Sequence, residues 1–146
     1  MNMTNAEYNE YIKSMSPKSP LAADLIKAFI VGGLICCLGE GITLLYTMFA
    51  GLDEERAATA TSITLIGLAA LLTGLNVYDK IARFAGAGTL VPITGFANSV
   101  VSPALEFKSE GFILGTAVKM FTIAGPVITY GLAASVVYGI ILCLMG

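Results

Sequence analysis

The sequence predicts an all-α integral membrane protein, a small bundle of about four hydrophobic segments with amphipathic interfacial helices. Of the 146 residues, 56% are hydrophobic and 12% are charged, whereas soluble domains carry about 25% charged residues. A chain this small buries only a modest share of its surface on folding, so the surplus apolar side chains must face lipid. Several apolar stretches also have the length of a bilayer crossing and are separated by short polar turns.

Composition also excludes several classes of function. The formal net charge of −2 offers no basic field for a nucleic acid. Histidine, the commonest general base and metal ligand, is absent. The three cysteines, Cys36, Cys37 and Cys143, fit packing residues better than a metal site or a disulfide framework. We therefore expect no enzymatic activity, no metal site and no cofactor.

Residues 1–27 are predicted to form an N-terminal arm, followed by a transmembrane domain over residues 28–146. Thr4 and Glu7 have the spacing of a capping box. An amphipathic helix should follow and end at the proline-containing stretch 16–20. This helix either docks on a membrane or partner or remains a solvated arm. The apolar stretch begins too late for a signal peptide and is long enough to span.

Two clear spans come next in the chain, over residues 28–50 and 59–78. The first has 23 residues (50 − 28 + 1), or ~34 Å of helix, which crosses a hydrocarbon core of about 30 Å. The second is rich in Ala, Gly and Thr, which let helix backbones approach closely. We therefore expect the second span to be enclosed by other helices.

The second half of the apolar sequence is interrupted. Residues 76–85 have the pattern of a short interfacial amphipathic helix. Residues 90–105 are too short for a clean span and contain prolines, so they form either a kinked third helix or a re-entrant loop. In both cases they lie inside protein. Residues 112–145 are too long for one straight span, and Gly125 with Pro126 would allow a kink.

The distribution of basic residues predicts a cytoplasmic N-terminus. That orientation leaves only Arg56 and Lys108 outside and places five basic residues inside, namely Lys13, Lys18, Lys27, Lys80 and Arg83. If residues 90–105 span the membrane, the C-terminus is also inside, and a re-entrant loop would leave it outside.

Glu40 and Lys119 are charges inside predicted spans. A charge at mid-bilayer costs about 2.5–3.5 kcal/mol on insertion scales. Both residues are expected ~12 Å below the outer boundary, from the helical rise. Either they face each other or share a polar cavity, or Glu40 is protonated or hydrogen-bonded to a neighbouring helix while Lys119 extends toward the interface.

Lys80 and Arg83 lie one helical turn apart at a membrane boundary. They either attract an anion at a pore mouth and form part of a plug, or act as ordinary positive-inside anchors. The glycines that follow would break the chain before a pore-lining segment, where helix N-termini would offer N–H groups to a carboxylate. The other pathway or gating candidates are Asn76, Asp79 and Asn98, and the candidate backbone breaks are Gly86, Gly88, Pro92, Gly95 and Pro126.

A family resemblance extends over nearly the whole chain. Its most specific part is GLNVYDKIARFAGAGT at residues 74–89, followed by VPITGFANS at 91–99, and AFIVGGLIC at 28–36 and KMFTIAGPV at 119–127 support it. This pattern closely resembles the stage V sporulation protein AC family. The sister family, stage V sporulation protein AE, shares the central motif, but the N-terminal arm and residues 124–127 favour AC.

The resemblance implies a function that composition does not reach. Such proteins belong to a complex in the inner membrane of the spore or forespore, which moves dipicolinic acid with calcium during sporulation and releases it during germination. The family is also linked to tension-gated, mechanosensitive channels, in which an amphipathic segment acts as a plug, here residues 76–85. At Glu40 the sequence departs from the glutamine that the resemblance implies, so a charge there is not a requirement of the family.

The sequence thus supports two functional hypotheses. In the first, the chain is a channel subunit that assembles as a homo-oligomer, or with the sister AE protein and other stage V sporulation A proteins, because one small bundle can hardly enclose a pore for a dicarboxylate. In the second, it is a non-conducting membrane scaffold that recruits partner proteins of the same complex through its N-terminal arm.

Overall fold

A computed structural model of the chain describes residues 4–15 and 20–145, and within them every regular element is helical. The predicted all-α class is therefore confirmed. Lys18 and Pro17 lie outside the described residues, as does the side chain of Lys13. The elements are α1 (Asn5–Met15), α2 (Leu21–Ala50), α3 (Glu54–Gly74), α4 (Tyr78–Ala85), α5 (Ala87–Leu90), α6 (Ile93–Glu106), a 3₁₀ turn (Phe107–Glu110), a π-helical turn (Phe112–Ala117) and α7 (Val118–Met145).

Helix α1 begins with the predicted capping box. The Thr4 N–H donates to Glu7 Oε2 at 2.8 Å, and the Glu7 N–H donates to Thr4 Oγ1 at 3.4 Å. The Thr4 hydroxyl donates to the same carboxylate oxygen at 2.9 Å. These bonds favour the charged form and hold the pKa of Glu7 below its usual value. The prediction of a capped helix is thus confirmed, and the target on which it docks stays a prediction.

Helix α2 begins earlier than its apolar stretch. It starts at Leu21, directly after Pro20, and includes the charged residues Asp24 and Lys27. The helix therefore runs across the predicted boundary at residue 28. It ends at Gly51, whose φ of 63° lies in the left-handed region that favours glycine at a helix end. Its 30 residues make ~45 Å of helix, enough to span a bilayer and extend beyond it.

Helix α3 packs antiparallel to α2. Two hydroxyl pairs join the helices, Thr43 to Thr61 at 2.9 Å and Tyr46 to Thr64 at 2.8 Å. On its other side α3 packs extensively against α6. Since its small residues let two neighbours approach, α3 lies between other helices, as its composition predicted. Its bounds are a few residues earlier than the predicted span at 59–78.

The segment at 90–105 is a broken helix inside the bundle. Helix α5 ends at Leu90, and Pro92 precedes α6 with a φ of −65°. Asn98, near the start of α6, contacts Thr73 in the last turn of α3. Because α6 then runs along α3, it carries the chain back toward the end where α3 begins. This arrangement matches the kinked third helix and places the C-terminal end of α7 on the side of the N-terminus.

The long helices pack in a row, in the order α2, α3, α6 and α7. Three of them, Leu21–Ala50, Glu54–Gly74 and Phe112–Met145, are long and apolar enough to cross a membrane, and the shorter α6 lies between α3 and α7. Helix α7 passes through Pro126 as a continuous helix. Only its first turns contact α6, and every described residue from 126 to 145 is exposed in the single chain. Helices α2 and α7 therefore form the two edges of the row.

Candidate functional site

A basic cleft of about 400 Å³ lies between the first turns of α2 and the α4–α5 connection. It is on the side of the N-terminus, at the membrane boundary where the sequence places a cytoplasmic mouth. Two cations from different helices, Lys27 and Arg83, line it. The complete lining is Leu21, Asp24, Leu25, Lys27, Ala28, Arg83, Phe84, Ala85, Gly86 and Ala87.

Both cations in the cleft have local partners. Arg83 Nη2 lies 2.8 Å from Asp79 Oδ2, and Lys27 Nζ lies 3.9 Å from Asp24 Oδ1. The Lys27 ammonium also lies 5.4 Å from the centre of the Phe84 ring. These ion pairs are solvent-exposed, and such pairs contribute only about 0–1 kcal/mol. Either cation can therefore exchange its partner for an incoming carboxylate at low cost.

The sequence predicted Lys80 and Arg83 as the cationic pair of this boundary. In the structure Arg83 lines the cleft, whereas Lys80 is exposed and is not among the lining residues. Lys27 takes the place of Lys80 in the cleft, although Lys27 precedes Arg83 by 56 residues (83 − 27). Sequence reasoning placed Lys27 on the same side of the membrane but had no signal that α4 would fold back onto α2.

Tyr78 attaches α4 to the rest of the bundle. The ring is 4% exposed and packs with Ala69 and Ala97. Its hydroxyl group donates toward the Thr89 carbonyl at 2.9 Å and toward Thr94 Oγ1 at 3.1 Å. One phenolic proton serves both oxygens. This single side chain thus connects α4 with α5 and α6, and sequence reasoning did not select it.

Helix α4 presents three different faces. The amphipathic pattern at 76–85 puts Val77, Ile81 and Phe84 on one apolar face. Phe84 is 61% exposed and also lines the basic cleft, whereas Val77 and Ile81 are 38% and 37% exposed. The charged face carries Asp79, Lys80 and Arg83. The third face, with Tyr78 and Ala85, is buried in the bundle.

Two of the predicted backbone breaks, Gly88 and Gly95, are places of close packing within the single chain. A Cβ atom added to Gly88 would lie 2.8 Å from the Cα of Ala28, and one added to Gly95 would lie 2.8 Å from the carbonyl carbon of Leu90. Gly86 precedes α5 with a φ of 53°. Gly88 thus lets α5 pack tightly against α2, and Gly95 lets the start of α6 pack tightly against α5. Their role in lining a path stays a prediction.

The two predicted asparagines occupy different environments. Asn98 is half-buried, and its Oδ1 lies 2.8 Å from the Thr73 hydroxyl, which also lies 2.7 Å from the Ala69 carbonyl. Asn76 lies in the exposed turn between α3 and α4, with a φ of 57°. Asn98 therefore contributes to the packing of α6 on α3, and Asn76 to the reversal of the chain.

The predicted contact between Glu40 and Lys119 does not form within the chain, because α3 and α6 separate α2 from α7. Lys119 Nζ lies 3.9 Å from the centre of the Phe107 ring, a cation–π contact. Glu40 is exposed on α2 and makes no hydrogen bond or ion pair with the described residues. In one chain, the two membrane-embedded charges thus lie at opposite edges of the row.

Metal ligands do not cluster in the described part of the chain. Nowhere in it do three or more His, Cys, Asp or Glu side chains come together in a way that would hold a metal ion. The three cysteines are free thiols on exposed helix surfaces.

Three bilayer-length apolar helices, a short interior helix and a basic cleft at one end define a small α-helical membrane protein. The family model described as SpoVAC/SpoVAEB sporulation membrane protein matches residues 24–141. The chain is also 49% identical over 141 residues to stage V sporulation protein AC of Bacillus subtilis (strain 168), covering 95% of this chain and 94% of the relative. The chain therefore belongs to the SpoVAC/SpoVAEB family of sporulation membrane proteins, which confirms the resemblance. No solved structure matches it.

Proposed function

We propose that the chain is a channel subunit of the spore inner membrane that moves dipicolinic acid with calcium during sporulation and germination. The observation that carries this proposal is the basic cleft at one end of the membrane bundle, which Lys27 and Arg83 both line, together with Asp24. Family membership supports the role in sporulation, and the chemistry of the cleft supports an anionic solute.

The cleft suits a carboxylate for two reasons. A guanidinium group presents paired N–H donors in a fork that matches a carboxylate, so Arg83 would orient the solute. The Lys27 ammonium would add a second charge from the opposite wall. Because their present partners are exposed carboxylates that bind weakly, the cleft would load an anion without breaking a buried pair.

We infer that helix α4 acts as the gate. Its exposed apolar face would lie in the membrane interface, where a change in lateral tension acts directly on it. Its inner face is held by the Tyr78 hydroxyl group. Tension that pulls α4 outward would break those two contacts and move Arg83 away from Lys27. This motion would correspond to the tension-gated plug that the family resemblance implied for residues 76–85.

Solute release from liposomes tests the proposal. The chain is reconstituted alone and together with the sister AE protein, and dipicolinate efflux is measured with and without osmotic downshock. The double variant Lys27→Ala/Arg83→Ala should slow efflux, while Lys80→Ala, on the same helix but outside the cleft, should leave it unchanged. Equal effects of Lys80→Ala and the double variant would contradict the assignment of the cleft.

A non-conducting scaffold is the second candidate, and helix α1 favours it. The apolar side chains Tyr8, Tyr11, Ile12 and Met15 are all exposed, with Met15 at 67%. Such a face fits the surface of a partner protein of the same complex. Liposomes that stay sealed under both voltage and tension in both reconstitutions, with partner binding lost on Tyr11→Ser/Met15→Ser, would support this function instead.

A further inference from the structure

The row of helices leaves two edges uncovered. Each edge helix carries one charge at membrane depth, Glu40 exposed on α2 and Lys119, on α7, half-buried beside Phe107. Glu40 is the only charged residue of α2 after Lys27, and Lys119 is the only charged residue from Phe112 to Met145. A lone charge facing hydrocarbon costs about 2.5–3.5 kcal/mol on insertion scales. A partner that brings the opposite charge would remove much of this cost.

The edge around Glu40 is shaped for a close helix contact. Gly33, two turns before Glu40 along α2, and Gly41, the residue after it, have no atom of another element within 4 Å of an added Cβ. Cys37 lies between them and is exposed. Small residues at this spacing let a second helix approach closely in a membrane. The carboxylate stands beside this open strip.

The edge formed by α7 carries complementary chemistry at a similar depth. Glu40 lies ten residues before the end of α2 at Ala50, or ~15 Å. Lys119 and Thr122 lie seven and ten residues after Phe112, or ~10 Å and ~15 Å. Both helix ends are on the same side of the bundle, because α6 runs back along α3. Thus the ammonium and a hydroxyl of one edge match the carboxylate of the other in depth.

We propose that the α2 edge of one copy docks on the α7 edge of a second copy, with Glu40 facing Lys119 and Thr122 across the interface. The occupant is a copy of this chain because both halves of the charge pair are present in it, at opposite edges that cannot meet within one chain. A contact between two different edges is heterologous, so each copy can add another. Such contacts give a ring where the rotation between neighbours closes and an open filament where it does not, and the ring is the form proposed here.

The Phe107 contact is compatible with this interface. The ring covers one side of the Lys119 ammonium at 3.9 Å, and an ammonium has three N–H donors. Within the described residues these donors have no oxygen acceptor. A carboxylate from the next copy would supply one. The ring of copies deepens the proposed function, on which this inference rests. It would enclose the path that a single bundle is too small to enclose.

Cysteine cross-linking in native membranes tests the contact. The full chain keeps Cys37, carries Cys36→Ala and Cys143→Ala, and receives Gly125→Cys, a position with open space around an added Cβ. Cys37 and Gly125 are both 13 residues from the outer helix ends at Ala50 and Phe112. We expect a ladder of cross-linked multimers that stops at one size. The matched control Val137→Cys, an exposed α7 position ~18 Å farther along, should give none.

Charge reversal shows whether the pair lies between copies. Glu40→Lys and Lys119→Glu should each lower the cross-linked yield by about tenfold, because each places like charges at one depth. The double reversal should restore it. A double variant no better than the singles, an absent ladder, or a dimer formed through Cys37 alone would overturn the proposal. A ladder of cross-linked multimers from a protein whose vesicles stay sealed would refute the proposed conduction but not this interface. Conduction by a protein that gives no ladder would refute this interface but not the proposed conduction.

Discussion

Removing the Tyr78 hydroxyl group should loosen α4 without disturbing the remainder of the bundle. Tyr78→Phe keeps the buried ring, which is 4% exposed, and deletes only the group that contacts Thr89 and Thr94. Those two residues belong to α5 and α6. The substitution therefore weakens the connection of α4 to α5 and α6, while the aromatic ring still packs against Ala69 and Ala97.

The expected loss of stability follows from the number of protons that the Tyr78 hydroxyl group can donate. One phenolic proton is shared by two acceptors, so the loss is close to that of one neutral hydrogen bond, about 0.5–1.5 kcal/mol. Measured hydrogen bonds between membrane helices average about 0.6 kcal/mol and reach about 1.7. A loss near 1 kcal/mol raises the population of the undocked α4 by about fivefold.

Amide hydrogen exchange of the reconstituted protein measures that population directly. Residues 80–85 should exchange about fivefold faster in Tyr78→Phe, because local opening sets their exchange rate. Tyr46→Phe is the matched control, since it deletes a hydroxyl that contacts Thr64 at 2.8 Å on the opposite half of the bundle. Unchanged exchange in α4, or equal acceleration in the control, would refute the assigned role of Tyr78.

Three other predictions concern packing, polar contacts and pH. Gly88→Ala should lower the thermal unfolding temperature in detergent at a cost of about 1–3 kcal/mol, because its Cβ would meet the Ala28 backbone, whereas Gly67→Ala, with open space, should be neutral or stabilising. Thr73→Val and Asn98→Ala should have non-additive effects on the free energy of unfolding, since the two native side chains contact each other. Strictly additive effects would argue against that contact. The pKa of Glu7 is lowered by its bonds to Thr4. The contribution of the Glu7 carboxylate to the stability of α1 is therefore complete above the ordinary carboxyl pKa, and it is lost as the pH falls through the lowered pKa of the folded state. Exchange at the start of α1 should therefore differ between the native chain and Glu7→Gln near neutral pH and converge in acid, and a difference that persists in acid would contradict the capping box.

Local patterns in the sequence predicted the elements well. The spacing of Thr4 and Glu7 specified a capping box that forms, and the alternation of charged and apolar residues at 76–85 specified a short amphipathic helix. Both depend only on contacts a few residues apart. The start of α2 was missed because Asp24 and Lys27 interrupt the apolar pattern, although a helix can continue beyond the bilayer into water.

The arrangement of the helices depends on contacts that no local pattern records. Burial of Tyr78 requires α5 and α6 to dock on α4, and the cleft requires α4 to fold onto α2, which brings Lys27 to Arg83. Helical rise gave nearly the same depth for Glu40 and Lys119. It could not show that α3 and α6 lie between them, because depth along the membrane normal says nothing about lateral order.

The most direct measurement of the central claim is the ion selectivity of the reconstituted protein in a planar bilayer, with dipicolinate as the main anion. The reversal potential in a salt gradient reports whether anions or cations pass. We expect anion-selective currents whose selectivity falls in Lys27→Ala/Arg83→Ala and is retained in Lys80→Ala. Cation-selective currents, or selectivity that is independent of Lys27 and Arg83, would contradict the assignment of the basic cleft as the mouth of the path.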